Sequence, residues 1–158
     1  MAQSSAGIKL FYKVGCSKNN DGTWTLGAGN WVEIPDITSI PAISGDPNML
    51  DTTVLAETQQ KTYIAGLKDN GGSMSYNAWL TPELLAAYTA YETAQAGAAA
   101  GTKPAFAISF PSPLNCYYWY IGEAQAVLPG EAEVDAVVAT TFVTSMETAP
   151  TKVSGAIL

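Results

Sequence analysis

The chain has 158 residues, of which 47% are hydrophobic and only 13% are charged, enough for one domain with a sizeable core. Its seven basic residues are all lysine, histidine is absent, and fourteen acidic residues give a net charge of −7. The lack of arginine argues against sequence-specific nucleic-acid recognition, and the lack of histidine removes the commonest general base and metal ligand.

The first predicted elements are two strands joined by a tight turn. Apolar residues alternate with others over residues 8–14, which predicts a half-buried strand. Asp21-Gly22 is typical of a hairpin turn, because this pair readily adopts positive φ. The chain then returns as a second strand over 23–34, in which Gly27 and Gly29 predict a bulge or bend.

Residues 36–69 predict a long connection rich in Pro, Gly, Asp and Thr. Loops longer than about 12–15 residues are uncommon in compact domains, and most are functional or disordered. This one carries too many apolar side chains for an inert linker, so we expect a neighbouring copy of the protein to cover them. The residues assigned to this inter-subunit arm are Ile37, Ile40, Ile43, Asp46, Met49, Leu50, Asp51, Thr52, Thr53, Val54, Leu55, Tyr63, Ile64 and Leu67.

A strand over 73–80 follows the arm, and a helix is predicted over 82–96. Thr81 can cap this helix, Pro82 stands at its first position, and Glu83 favours the positive end of its dipole. One apolar stripe at helical spacing is expected to dock on the sheet. The residues of this stripe are Leu84, Leu85, Tyr88 and Tyr91.

Three further strands are predicted, over 106–110, 117–128 and 134–146, with the last two pairing antiparallel. Residues 153–158 predict either a last strand or a contact with a neighbour. The whole pattern predicts one domain over residues 1–158 that is mainly β (α+β). Its expected architecture is an antiparallel β-sandwich or barrel of six to seven strands, with one flanking α-helix and a long extended arm loop.

Four short segments, taken in order, resemble a known family. They are Ile34-Pro35-Asp36-Ile37, Ile43-Ser44-Gly45-Asp46-Pro47, Leu50-Asp51-Thr52-Thr53-Val54-Leu55 and Tyr63-Ile64-Ala65-Gly66-Leu67-Lys68-Asp69. At these spacings they resemble the tail tube proteins (major tail proteins) of long-tailed bacteriophages. The resemblance implies a β-sandwich or barrel subunit with a flanking helix, which assembles as hexameric rings that stack into a hollow tube for DNA.

On this resemblance, we expect a structural virion protein that is not an enzyme and needs no cofactor or metal. Its expected partners are copies of itself and other tail proteins at the tube ends, while DNA passes through without specific binding. We expect it in the virion tail after assembly in the bacterial host cytoplasm. The beginning of the chain lacks a signal-peptide pattern, and no apolar run approaches the roughly 18 residues of a membrane-spanning helix.

A group of acidic residues suggests how a tube wall could treat DNA. These candidate lumen-facing residues are Glu123, Glu131, Glu133 and Asp135, with no lysine between them. If they lined a pore, every copy in a ring would repel DNA toward the axis, within a screening length of about 8 Å. The alternative is an acidic turn that faces bulk water. The sequence leaves open which strand faces line the lumen.

Three other functions are compatible with the sequence. The first is a ring-forming tube protein of a bacterial injection or secretion machine. The second is a β-sandwich carbohydrate-binding or adhesion module that uses Trp24, Trp31 or Trp119 as a sugar platform. The third is a small hydrolase with a carboxylate pair, for which Glu131 with Glu133, or Asp135 with Glu123, are the candidates.

Overall fold

The computed structural model describes residues 7–42, 46–56, 59–69, 72–125, 128–129, 134 and 136–157, and of residues 46–48, 66–69 and 128–129 it describes the backbone alone. Within these residues the protein is mostly β, with a single α-helix and a curled antiparallel sheet that forms a half-barrel. The predicted mainly β fold with one helix is therefore confirmed.

The elements follow one another along the chain as short strands around one helix. They are β1 (Lys9–Lys18), β2 (Trp24–Thr25), β3 (Val32–Ile34), β4 (Ile37–Ser39), β5 (Asp46–Asp51), β6 (Tyr63–Asp69), β7 (Ser73–Trp79), α1 (Pro82–Ala96), β8 (Lys103–Phe110), β9 (Cys116–Ile121), β10 (Leu128–Pro129), β11 (Ala139–Ser145) and β12 (Thr151–Ser154). Several predicted long strands are thus divided into shorter pieces.

The strands form two main sheets and one separate ribbon. The larger sheet has the order β12-β9-β8-β1-β2, and β3 also pairs with β1. The smaller sheet has the order β10-β11-β7-β4, while β5 and β6 pair with each other as a two-stranded ribbon. All of these pairings are antiparallel.

The core lies between the two main sheets. Along β7, Met74, Tyr76 and Ala78 are buried and the residues between them are exposed, because successive side chains of a strand point to opposite faces. They pack in one cluster with Leu10 of β1 and Phe142 of β11. The alternation within β7 therefore puts one of its faces in the core and the other in contact with solvent.

The helix closes one side of the sandwich and contacts both sheets. Thr81 caps it by accepting a hydrogen bond from the backbone N–H of Leu84 (3.2 Å), and Pro82 stands at its start, as predicted. Tyr91 packs edge-on against Tyr12 of the larger sheet, with ring centroids 5.4 Å apart. On the other side, Tyr88 packs edge-on against Phe142 of the smaller sheet (6.2 Å).

The predicted apolar stripe of the helix is wrong at one position. Leu84 and Tyr91 are buried, but the side chain of Leu85 is 45% exposed. Leu85 lies 100° around the helix from Leu84, so it cannot share the same docked face. This residue belongs instead to an exposed surface described below.

A buried hydroxyl network also joins the sheets. The Tyr120 hydroxyl of β9 lies 2.6 Å from the Tyr76 hydroxyl of β7 and 2.6 Å from the Thr144 hydroxyl of β11. Burial raises the pKa of Tyr120 to about 12 and raises that of Tyr76 further. These tyrosines therefore stay neutral and act as hydrogen-bonding links across the core.

The predicted hairpin of 117–128 with 134–146 is wrong in its first half. β9 ends at Ile121 and belongs to the larger sheet, whereas β11 belongs to the smaller one. The chain then changes sheets: Ala124 bridges to Thr144 of β11, and β10 pairs with β11 farther along. Only these later parts of the segment are partners of β11.

Two other segments differ in detail from their predictions. The predicted strand over 23–34 is divided into β2 and β3, and the loop between them places the buried Trp31 on the outer face of the larger sheet. Near the C-terminus, Val153 and Ser154 lie in β12, which pairs with β9. Of the two options left open there, a strand is the one observed for these two residues.

Candidate assembly surfaces

The β5–β6 ribbon carries the largest collection of exposed apolar side chains in the described part of the chain. The large apolar residues described in its two strands and in the connection between them are all half exposed or more, and none belongs to either core cluster. Exposed apolar groups of this extent mark interaction sites on soluble proteins. The residues concerned are Met49, Leu50, Val54, Leu55, Tyr63 and Ile64.

The ribbon presents apolar side chains on both of its faces. Leu50 pairs directly with Ile64, and such opposed residues lie on the same face of an antiparallel pair. Met49 pairs with Ala65, and Tyr63 lies two residues from Ala65 on that second face. An uncovered two-stranded ribbon is marginally stable by itself. Both faces therefore favour cover by another protein surface.

Threonines close the end of the ribbon rather than project from it. The backbone N–H of Thr52 donates to the carbonyl oxygen of Thr62 (2.8 Å), and the backbone N–H of Thr62 donates to the Thr53 hydroxyl (2.8 Å). Hydrogen bonds from Thr53 hold the pKa of Asp51 below its ordinary value. Thr52, Thr53 and Asp51, which were predicted as arm residues, thus form hydrogen bonds that stabilise the end of the ribbon itself.

Two of the predicted arm residues lie on their own domain. Ile37 and Ile40 are partly buried and pack against the main core, and Ile37 belongs to β4, which pairs with β7. The expectation that a neighbouring copy covers all apolar side chains of the arm is therefore wrong for these two. Ile43 and the side chains of Asp46 and Leu67 lie outside the described residues.

A second group of exposed apolar residues lies where β7 leads into α1. Trp79 ends β7 and pairs with Ala139, and the next residue, Leu80, donates its N–H to the carbonyl of Val138. Trp79, Leu85 and Val137 are each more than two-fifths exposed, and we call them the β7-end patch. Sequence reasoning missed this patch, although the alternation of β7 already puts Trp79 on its outward face.

The four strands of the smaller sheet contain no charged residue. Their sequences are ITS in β4, SMSYNAW in β7, LP in β10 and ATTFVTS in β11. The outward residues Ser73, Ser75 and Asn77 of β7 and Thr141 of β11 are exposed. The outer face of this sheet therefore offers hydroxyl and amide groups instead of charges.

Of the four candidate lumen acids, the structure describes only Glu123. It is exposed and follows β9, and its backbone N–H donates to the Ser145 hydroxyl (2.8 Å). It lines a cleft of about 350 Å³ together with Tyr88, Glu92 and Gln95 of α1. Glu131, Glu133 and Asp135 lie outside the described residues. Whether the four acids share one surface stays a prediction.

The tryptophans considered as a sugar platform do not form one surface. Trp31 is buried against Tyr117 (ring centroids 6.1 Å apart), with the Lys13 ammonium 4.9 Å from its ring. Trp24 and Trp119 do line one cleft of about 350 Å³ on the larger sheet. Both are partly buried and pack against the second core cluster, which contains Trp31 and Ile121. This packing accounts for the two tryptophans without a sugar ligand.

The described residues offer little for metal chemistry. No three His, Cys, Asp or Glu side chains in this part of the chain are grouped as metal ligands. Cys16 and Cys116 are free and buried, and burial raises the pKa of the Cys16 thiol. Across the described ranges, no helix combines the length and hydrophobicity needed to span a membrane.

Comparison by sequence gives no relative: no protein-family model matches the chain, and no curated protein does. Comparison by structure gives several. A chain of the six-fold symmetrised cryo-EM structure of the anti-feeding prophage baseplate superposes with a TM-score of 0.64 at 10% identity, covering 98% of both chains.

Two further structures are similar over their full length. A chain from the tail of an empty GTA particle, determined with C6 symmetry, has a TM-score of 0.61 at 13% identity, covering 97% of this protein and 100% of that chain. A chain from the sheath/tube terminator of an extracellular contractile injection system (PVC) has a TM-score of 0.60 at 7% identity, covering 98% and 99%. This protein therefore has the fold of components of phage-like tails and injection systems.

Proposed function

We propose that this protein is the tail tube subunit of a long-tailed phage or a phage-like particle. In this function it assembles into rings, hexameric as the resemblance implies, and the rings stack into a hollow conduit for DNA. The role is structural, without catalysis or cofactor. The protein belongs to the particle tail and is assembled in the cytoplasm of the bacterial host.

The observation that carries this proposal is the fold likeness over the whole chain. The similar chains come from assemblies with six-fold or C6 symmetry, and they match this protein over 97% or more of either length. The likeness thus covers the entire domain, including the segment that the ribbon occupies. A likeness over part of the chain would fit any β-sandwich, whereas a likeness that covers nearly all of both chains favours the same kind of subunit.

The exposed ribbon supports self-assembly independently of the fold. Its two apolar faces lie outside both core clusters, and the chain as a whole carries few charges to keep a monomer soluble. Contacts between two different surfaces of identical subunits close into rings or extend into filaments. A stack of rings needs contacts of both kinds, one that closes each ring and one that joins successive rings into a filament.

The charge of the chain suits a conduit better than a DNA-binding protein. Each phosphate that meets a fixed cation adds affinity through counterion release and would slow the passage of DNA. The net charge is −7, and the strands of the smaller sheet carry no charge. A wall built from an uncharged or acidic face would leave DNA free to slide.

A second candidate is the tube protein of a contractile injection system without DNA delivery. The likeness to chains of the anti-feeding prophage and of the PVC terminator favours it. The two functions differ in the cargo of the native particle. Nuclease-protected DNA that copurifies with particles containing this protein would favour the phage function, and protein cargo alone would favour the second.

Negative-stain electron microscopy of the purified protein tests the proposed class. We expect hollow filaments of uniform width, or rings, and light scattering should show a mass well above the 16.6 kDa of one chain. Deletion of residues 45–60, which removes β5 and most of its connection to β6, should leave a folded monomer. A wild-type protein that stays monomeric at high concentration would refute the proposal.

A further inference from the structure

The charges of this protein are distributed unevenly between its two main sheets. The six strands of the larger sheet carry five of the seven lysines and one of the fourteen acidic residues of the chain. The four strands of the smaller sheet carry no charge. The larger sheet is therefore positively charged within a chain whose net charge is −7.

Two of these lysines, both in β1, point away from the core. Lys9 and Lys13 alternate with Leu10 and Tyr12, which are buried in the main core cluster between the sheets. Because successive side chains of a strand point to opposite faces, Lys9 and Lys13 lie on the outer face of the larger sheet.

Two more lysines share this outer face with the second core cluster. Lys18 follows Cys16 of that cluster by two residues in β1. Lys103 precedes Ala105 of the same cluster by two residues in β8. We call this surface the basic face, and its lysines are Lys9, Lys13, Lys18 and Lys103.

Two lysines of the basic face have acidic partners within the chain. The Lys9 ammonium lies 3.6 Å from a carboxylate oxygen of Glu33, and the Lys103 ammonium lies 2.6 Å from one of Glu147. Among the described residues, no carboxylate forms an ion pair with either of the other two lysines. The positive charge of the basic face is therefore neutralised only in part.

Lys13 and Lys18 are the two lysines that keep their charge available. The Lys13 ammonium lies 4.9 Å from the centroid of the Trp31 ring, a cation–π contact that orients the ammonium without neutralising it. Lys18 is exposed at the end of β1. Carboxylates from another molecule can therefore pair with both.

A cleft of about 350 Å³ adjoins Lys18 on the same face. Trp24 is directly opposite Lys18 in the pair of β1 with β2, so the two side chains share one face of that pair. Trp24 lines the cleft together with Trp119 and three threonines. The basic face thus combines two ammonium groups with a cleft walled by two indole rings.

We propose that the basic face binds an acidic segment of a partner protein. Carboxylates of the segment pair with Lys13 and Lys18, and one of its aromatic or apolar side chains enters the cleft between Trp24 and Trp119. The sign of the charge argues for this occupant, because lysines without carboxylates favour a surface of opposite charge. The inference goes beyond the proposed function and does not require it.

The mixed charge of the basic face favours a protein segment over nucleic acid. A DNA duplex carries one phosphate charge per roughly 1.7 Å of its axis, so it would also bring negative charge against Glu33 and Glu147. The chain has no arginine for bidentate phosphate contacts. A protein segment can place carboxylates at Lys13 and Lys18 and avoid both glutamates.

Fluorescence anisotropy of a labelled peptide on the purified full-length protein tests the proposal. The probe is a short peptide in which glutamate alternates with phenylalanine, and a second peptide has serine in place of phenylalanine. The test variant is Lys13→Gln with Lys18→Gln. The control variant, Lys61→Gln with Lys152→Gln, removes the same charge at two exposed positions off the basic face, since Lys61 precedes β6 and Lys152 pairs with Tyr118 on the core side of the sheet.

We expect the control variant to bind the phenylalanine peptide as the wild type does. The test variant should bind it roughly tenfold more weakly, because each exposed ion pair contributes a factor of up to about five in affinity. The serine peptide should bind the wild type more weakly than the phenylalanine peptide, because it leaves the cleft empty. Thermal unfolding establishes that the variants are folded, and Lys18→Gln alone, at an exposed site, replaces the test variant if that variant does not fold.

Four results would overturn the proposal. They are a wild type that does not bind the phenylalanine peptide, equal losses of affinity in the test and control variants, displacement of the peptide by a DNA duplex, and release of the peptide when the protein assembles. The third result would assign the basic face to nucleic acid, and the fourth would assign it to a second copy of this chain. Equal affinity for the two peptides would overturn the role of the cleft.

Discussion

The change of sheet at Gly122 is the point where the fold should tolerate a substitution least. The chain leaves the larger sheet after Ile121, the last residue of β9, and joins the smaller sheet at Ala124, three residues later. A Cβ on Gly122 would overlap the carbonyl oxygen of Ser145, which belongs to the backbone of β11 and has no rotamer to escape into. Gly122→Ala must therefore push the crossover away from β11.

The magnitude follows from the hydrogen bonds that this displacement strains. The Ser145 N–H donates to the Glu123 carbonyl, the Glu123 N–H to the Ser145 hydroxyl, and the Glu147 N–H to the Ile121 carbonyl, each at 2.8 Å. At about 1 kcal/mol per bond, their loss lowers the free energy of unfolding by about 3 kcal/mol. This corresponds to a fall in Tm of roughly 6–12 °C.

Urea unfolding of the unassembled subunit, followed by circular dichroism, measures the effect. Gly97→Ala is the matched control, because a Cβ there meets only the Thr93 and Ala94 carbonyl oxygens, at ordinary distances of 3.6 and 3.8 Å. We expect the control to change the free energy of unfolding by less than about 0.5 kcal/mol. A loss below about 1 kcal/mol for Gly122→Ala would show that the crossover adjusts easily and that this reasoning is wrong.

Two further substitutions test the core and the helix start. Because burial raises the pKa of Tyr120 to about 12, the free energy of unfolding should hold up to about pH 10 and fall between there and pH 12. Tyr120→Phe should make that fall shallower and, by leaving Tyr76 and Thr144 with one partner fewer, cost about 1–3 kcal/mol at neutral pH in urea unfolding. Thr81→Ala should lower the free energy of unfolding by about 1 kcal/mol in thermal unfolding, because it removes the hydrogen bond from the Leu84 N–H and the one donated to Asp36. Thr81→Ser keeps the hydroxyl and should retain most of both hydrogen bonds. Equal losses of stability for the two variants would contradict the capping role.

The features of the fold that depend on residues close together in the chain are the ones that were predicted correctly. The start of α1 was predicted correctly because Thr81 and Pro82 act on their immediate neighbours in the chain. The inward faces of β1 and β7 follow from alternation within a few residues. These features depend on local geometry, which a single sequence displays directly.

The pairing of strands was predicted less well, because it depends on residues distant in sequence. β9 and β11 look like hairpin partners in sequence, yet they lie in different sheets, since the chain crosses over at Gly122. The arm looked like one irregular connection, whereas β4 joins the smaller sheet and β5 and β6 pair with each other. The resulting cover on Ile37 and Ile40 could not be foreseen from their apolar character.

The sequence by itself determined the class of the protein: a low-charge β-domain without arginine or histidine, with one capped helix and an apolar arm. Only the tertiary structure decided which apolar residues remain uncovered, because exposure depends on what the rest of the chain packs against each side chain. It placed Ile37 on the core and left Trp79 and the ribbon facing solvent.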